Sequence, residues 1–394
     1  MWWYVGDEGA GLFFLALTCR NVATAFGKGG LERVLVRTIA ARAATDDIAG
    51  IHSAREFAMR CALRRSLLVA LTLAALAWPL AHVIFDKPMT SLLVLMALTV
   101  LPATMVSLGC AALRGLKHIA ASQFIDSVSG PLLACGLLPI FATLFGVEGA
   151  AIGRGLALIC AAVCAMLVWQ RVAPSLGGQT SDFDSSVMTQ ASPPLLQTDL
   201  MNLLMTSLPM LLLGVYWQEA SEAGIYGIAL RTAMLIAFIQ MGLNAILGPK
   251  FAAMWELQQL DELRTLARKA CWLAFAAALP FAALFCLAPV WVLSMFGESA
   301  TAGALALTLL TLSQLVNVAS GPVGSLLVMS GHQELVRNST MATVLLQLSL
   351  CFWLIPSYGA VGAAITAAAG VATKNLINVL MVRKHLGVRL LSWG

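Results

Sequence analysis

The chain has 394 residues, of which 60% are apolar and 11% charged, against roughly 45–50% and 25% in soluble domains. A soluble fold of this length could not hide that much apolar surface, so the composition excludes an ordinary globular enzyme and points to lipid as the solvent. The net charge is only +5; where the charges fall says more than their sum.

Apolar runs of about twenty residues follow one another near 9–27, 62–85, 89–112, 120–145, 148–171, 195–217, 223–247, 269–296, 300–329, 334–356 and 359–382. They are continuous rather than alternating, which argues for helices over barrel strands. The predicted class is an all-α integral membrane protein with eleven transmembrane helices. Prolines inside the runs (Pro79, Pro102, Pro131, Pro139, Pro209, Pro280, Pro289, Pro322) are kinks of a kind that packed membrane helices tolerate. The basic segment 28–61 and the matching 248–268 read as short interfacial helices. Residues 173–194, with Gly177-Gly178, Ser185-Ser186 and Pro193-Pro194, read as a polar cytoplasmic linker. The expected organisation is a lobe over 1–172, that linker, a second lobe over 195–384, and a tail over 385–394.

The two lobes are copies. Gly146-Val-Glu-Gly-Ala-Ala151 and Gly359-Ala-Val-Gly-Ala-Ala364 are nearly identical and lie 213 residues apart. The same offset carries Ala10-Gly11-Leu12-Phe13 onto Ala223-Gly224-Ile225-Tyr226, and Arg37 onto Lys250. A period this long in an apolar chain marks a duplicated membrane bundle. The second copy opens with the run 195–217, and only Met1 to Tyr4 stand where the offset would put its counterpart. The expectation is a six-plus-six design with the first helix missing.

Basic residues set the orientation. One set of loops holds Lys28, Arg33, Arg37, Arg42, Arg55, Arg60, Arg64, Arg65, Arg114, Lys117, Arg171, Lys250, Arg264, Arg268, Lys269, Arg337, Arg383, Lys384 and Arg389; the opposite set holds one base, Lys87. The first set is the cytoplasmic one, and the C-terminus lies with it. The nine cysteines form no CxxC, and no nucleotide, metal or nucleophile motif is present. No cofactor, no metal, no nucleic acid partner and no enzymatic activity are expected.

Four cations fall within apolar runs: Arg20, Arg154, Arg231 and Lys374. Each costs roughly 2.5–3.5 kcal/mol near the bilayer centre and needs a partner, a wet cavity or an escape to the surface. Arg154 is only ~9 Å below the outer end of its helix, so snorkelling and a cavity role both stand. Lys374 has the same two readings. Arg20 and Arg231 fall within two positions of equivalence under the repeat, which suggests a shared cationic cavity. Asp126 and Asp199 could carry a coupling proton or sodium ion. Each also reads as lying in the first turns of a helix that begins inside, where the dipole and free N–H groups favour a carboxylate.

A family resemblance rests on Gly224-Ile-Tyr226, Ala229-Leu-Arg231, Asn244 and Pro249-Lys-Phe-Ala252, on Gln314-Leu-Val-Asn317 and Gly321-Pro-Val-Gly324, and on Met329-Ser-Gly331 and Leu354-Ile-Pro356-Ser-Tyr-Gly359. In the first copy Ala10 to Phe13 and Leu35-Val-Arg37 look similar. Together they resemble the Wzx-type, RfbX-like polysaccharide (O-antigen) flippases of the superfamily that includes multidrug MATE exporters and lipid II flippases. The resemblance implies a two-lobed bundle in the bacterial inner membrane. Such a bundle rocks to move undecaprenyl-diphosphate-linked oligosaccharide between leaflets, alongside polysaccharide polymerase and chain-length machinery. Arg231 would be the first diphosphate contact and Arg20 the second. A MATE-like ion-coupled exporter and an inactive truncated membrane scaffold are the rival expectations.

Overall fold

A computed structural model describes residues 2–173 and 185–386, nearly all of them helical. Most of the expected linker (174–184) and the tail beyond Leu386 lie outside the described residues. The chain divides into two compact units, 1–203 and 204–394. The first holds α1 (Trp2–Lys28), α2 (Leu31–Ala44), α3 (Ile48–Ala75) and a short α4 (Ala77–Pro79) that runs into a π-helical turn, Leu80–Ile84. It continues with α5 (Thr90–Leu98), α6 (Val100–Gly115), α7 (Ile119–Gln123), a second π-helical turn (Phe124–Ser129) and α8 (Gly130–Val172). Next, α9 (Ser186–Tyr216) carries the chain from one unit into the other. The second unit has α10 (Ala220–Glu256), α11 (Leu260–Leu287), α12 (Pro289–Ser294), a 3₁₀ turn (Ser299–Gly303), α13 (Ala304–Ala319), α14 (Val323–Met329) and α15 (Gln333–Leu386).

The duplication is visible in the element boundaries. Moved by 213 residues, α3 falls within one residue of α11, and the backbone break at Gly146 falls on the break at Gly359. Both glycines hold positive φ, 60° and 52°, a region costly for any other residue. At each the chain reverses. A Cβ on Gly149 would collide with the Phe141 carbonyl, and one on Gly153 would lie 2.9 Å from the Leu137 oxygen. Residues eight and sixteen apart would stand ~12 and ~24 Å apart in a continuous helix. In α15 the Ser339 hydroxyl donates to Asn378 Oδ1 at 2.8 Å across the same kind of reversal.

Among the described residues, eight helices are long and apolar enough to cross a membrane, or nine if the α3–α4 pair, bent by 50°, counts as one. Eleven apolar runs were expected. The difference comes from the two longest elements, Ile119–Val172 and Gln333–His385, each of which is a fold-back containing two runs.

The segment 28–61, expected to form short interfacial helices, divides in two: α2 is such a short helix, whereas residues 48–61 are the start of the long α3. Asp47 caps it, accepting from the Gly50 N–H at 2.8 Å, and Ala54, Ala58, Ala62 and Ser66 bury one face at every fourth position. That small-residue seam lets α1 approach closely: a Cβ on Gly27 would lie 3.1 Å from the Ser66 Cβ. Likewise, residues 186–194 of the expected linker are helical and open α9, which begins within the first unit.

Between α1 and α2, Gly29 and Gly30 both take positive φ (55° and 76°). Alanine at Gly30 would drive its Cβ into the Ser192 carbonyl and to 2.7 Å from the Leu196 nitrogen, so α9 sits against the start of α2. The counterparts of the pair are Gly242 and Leu243, and there α10 runs straight on to Glu256. The separate interfacial helix expected over 248–268 is instead the end of α10 and the start of α11, because leucine does not supply the second left-handed residue.

Candidate functional site

Two of the four membrane cations come together in the first unit. Arg20 projects from α1 and is 5% exposed; its Nε is buried with no hydrogen-bond partner. Arg154, on the second arm of α8, is partly buried, with its Nε in the same condition. The guanidiniums are close enough to feel each other's charge. Among the described residues neither enters an ion pair. Each guanidinium thus holds at least one unfilled donor, its Nε, in a planar fork whose geometry suits an oxyanion.

The other two belong to the second unit. Arg231 in α10 donates to the Gly227 carbonyl at 2.9 Å. Beside it Tyr226 is fully buried, its hydroxyl without a hydrogen-bond partner and within reach of the Arg231 charge. Lys374 is partly buried on the second arm of α15. Arg20 and Arg231 therefore do lie on corresponding helices, α1 and α10.

The acids sit elsewhere, at the basic end of the first unit. Asp199 is not in a first turn: α9 begins at Ser186, thirteen residues earlier, so the dipole account fails for it. Its carboxylate is held by Arg33 Nη2 at 2.7 Å. Asp126 lies on an exposed face of the π-helical turn before α8, within electrostatic reach of Arg114, Glu32 and Lys28.

Between these acids lies a network that the sequence reading passed over. Glu32, in the first turn of α2, accepts from Lys28 Nζ at 2.9 Å, Arg114 Nη2 at 2.7 Å and the Ser107 hydroxyl at 2.7 Å. Burial alone would raise the Glu32 carboxyl, but Lys28, Ser107 and Arg114 outweigh it and hold the group below its usual range. Three donors on one carboxylate pin the start of α2 to the end of α1 and to α6. Among the described residues, no group of three or more His, Cys, Asp or Glu side chains is placed to hold a metal ion.

The comparisons with known proteins bear on the family and the fold. The family model described as "Polysaccharide biosynthesis protein" matches residues 8–301. The chain belongs to that family. No curated protein matches the sequence. Among solved structures, an inward-facing multidrug-resistance MATE family transporter of the MOP superfamily is similar with TM-score 0.77 and 18% identity, over 97% of this chain and 91% of that one. An outward-facing MATE family transporter gives 0.69 and 19%, over 96% and 87%. The Vibrio cholerae MATE transporter VcmN in the bent form gives 0.61 and 17%, over 98% and 96%. Identities this low speak for fold: this polysaccharide biosynthesis protein is a multi-pass membrane protein with the MATE fold.

Its second unit has no counterpart of the Glu32 network. The 213-residue offset carries Lys28 onto Met241, Arg114 onto Leu327 and Asp126 onto Ser339. There the Glu222 carboxylate of α10 accepts from the Ala360 N–H of α15 at 2.6 Å, and amides link α13 to α15. Asn375 Nδ2 donates to Asn317 Oδ1 at 3.0 Å, and Asn317 Nδ2 to Gln314 Oε1 at 3.3 Å. The sequence brings Gln314 and Asn317 onto one helix face at i, i+3, but gives no sign of their partner Asn375. For Glu32 a signal did exist, the spacing Lys28–Glu32 at i, i+4, but the abundance of bases around it drew attention to orientation alone.

Proposed function

We propose that this protein is a flippase that moves an undecaprenyl-diphosphate-linked oligosaccharide from the inner to the outer leaflet of a bacterial cytoplasmic membrane, with its C-terminus cytoplasmic. The observation that carries the reading is the Arg20–Arg154 pair. Two cations held in membrane-spanning helices without a carboxylate are costly. A diphosphate offsets that cost by filling both forks, while its lipid tail stays in the bilayer. Arg231 and Lys374 are the second unit's own membrane cations and are further candidates for contact with an anionic substrate. The family assignment and the MATE fold support transport of a polysaccharide precursor over chemistry upon it. Asp126, for which no ion pair is formed among the described residues, is the candidate for ion coupling; Asp199 is already engaged by Arg33. The basic loops support the orientation, and the family supports partnership with polysaccharide polymerase and chain-length machinery.

A cation exporter of the MATE kind is the second reading. It needs a membrane carboxylate free to meet a cationic drug, and the two acids here stand among Lys28, Arg33 and Arg114.

The test is the pool of lipid-linked oligosaccharide in cells lacking the gene, restored with the wild-type chain, with Arg20→Ala/Arg154→Ala, or with Arg20→Lys/Arg154→Lys. Inner-leaflet accumulation that the wild type relieves, the alanine pair does not, and the lysine pair relieves in part is the expected result. Relief by the alanine pair equal to wild type would remove the cations from the mechanism. No accumulation in the deletion would sink the flippase reading, and drug-resistance assays would then separate an exporter from a scaffold.

A further inference from the structure

A cavity of about 300 Å³ opens at the basic end of the first unit, between α2 and the beginning of α9. Its α2 wall carries Arg33, Arg37 and Arg42 with the Thr38 hydroxyl; its α9 wall is Val187, Met188, Ala191 and Leu195. One side is cationic and the other purely apolar. This is separate from the Arg20–Arg154 pair, and neither acid of the transport reading lines it.

The charge count limits what fits. Arg33 is paired with Asp199, and Arg42 with Asp47. Arg37 is exposed and enters no ion pair among the described residues. The site therefore offers one uncompensated positive charge, a hydroxyl donor and an apolar wall. A diphosphate would bring more negative charge than one free guanidinium matches. A single phosphodiester with an acyl chain attached matches both walls: the phosphate meets Arg37 and Thr38, and the chain lies along Val187, Ala191 and Leu195. Its size, at the low end for ligand cavities, suits a headgroup better than an oligosaccharide.

We propose that this cavity binds the headgroup of an anionic phospholipid of the surrounding leaflet, bridging α2 to α9. Basic pockets beside membrane helices take anionic headgroups in this way. The position gives the binding a consequence. Here α2 is hinged to α1 by the two left-handed glycines, and α9 leads from one unit to the next. A lipid lying across both fastens the hinge to the connecting helix.

The test uses the purified full-length protein in nanodiscs of phosphatidylcholine with or without phosphatidylglycerol. Retained lipid is read by native mass spectrometry and stability by Tm. Phosphatidylglycerol should be retained and should raise Tm. Arg37→Ala should weaken retention about fivefold, and Ala191→Phe, which fills the apolar half and leaves every charge in place, should also reduce it. Arg171→Ala removes an exposed arginine from the end of α8 and should change nothing. Equal losses from Arg37→Ala and Arg171→Ala would mean general surface attraction and overturn the site. Full retention by Ala191→Phe would do the same. If inorganic phosphate alone reproduces the Tm rise, the ligand is a free anion and the lipid assignment falls.

Discussion

The joint between α1 and α2 and the matching stretch of α10 start from related sequence and end in different structures. In the first unit two adjacent glycines, both left-handed, stop one helix and start another. In the second, one glycine and a leucine let the helix run through. Around the joint the first unit assembles charges on Glu32; among the described residues the second unit links its helices through amides such as Asn375 to Asn317 and through the Glu222 carboxylate, which accepts from the Ala360 N–H at 2.6 Å. The lesson is that duplication fixed the frame of helices while polar content diverged.

The sharpest way to break the comparison is Gly30→Ala. Positive φ and a collision with the Ser192 backbone together should cost about 3 kcal/mol, read by thermal or denaturant unfolding in detergent. A loss near 1 kcal/mol would mean that α9 does not rest on α2. Next comes Glu32→Gln, which leaves Lys28 and Arg114 facing an amide and should cost about 1.5–3 kcal/mol at neutral pH. Because the folded Glu32 carboxyl is held below its unfolded value, its stabilisation is present above about pH 4.3 and is lost as pH falls through the folded value. Wild type and Glu32→Gln should therefore converge in acid, and a constant gap across that range would place the effect in packing.

A smaller and more telling test compares equivalent positions. Gly29→Ala should destabilise by about 1–2 kcal/mol because φ is +55°. Gly242→Ala, in a continuous helix with nothing within 4 Å of the added Cβ, should stabilise by about 0.5–1 kcal/mol. Shifts of the same sign in Tm would erase the difference between the halves. Smallest is Asn375→Ala, which removes one amide link in the second unit and should cost about 0.6 kcal/mol, the average for such bonds between membrane helices. A loss as large as that of Glu32→Gln would show that amides there work as hard as charges do in the first unit.

What the sequence made legible was periodic. Apolar runs gave the spans, and the Gly146/Gly359 correspondence gave the duplicated frame, because both depend on patterns that survive divergence. The start of α3 was legible only as a short interfacial helix: Arg55, Arg60, Arg64 and Arg65 masked a seam of small side chains at every fourth position, Ala54, Ala58, Ala62 and Ser66, that makes it one helix with the span that follows. The helical start of α9 was hidden by Pro193-Pro194, residues that break helices in water and are borne in packed membrane helices. In the site, Arg20, Arg154, Arg231 and Lys374 stood out one by one because a charge in an apolar run is rare. That Arg20 and Arg154 meet could not be read, since 134 positions separate them and only the fold-back at Gly146 turns Arg154 toward α1. Glu32 escaped for the opposite reason, being one charge among many.

The reversals at Gly146 and Gly359 also bear on how the protein is made. Each joins two apolar arms through one or two non-helical residues, Phe145-Gly146 in α8 and Gly359 in α15, leaving no loop between the arms. The arms of each pair form one helical hairpin, packed in α15 through contacts such as Ser339 to Asn378. In both copies the closing pair of spans is thus expected to enter the membrane together, as a unit of biogenesis as well as of architecture.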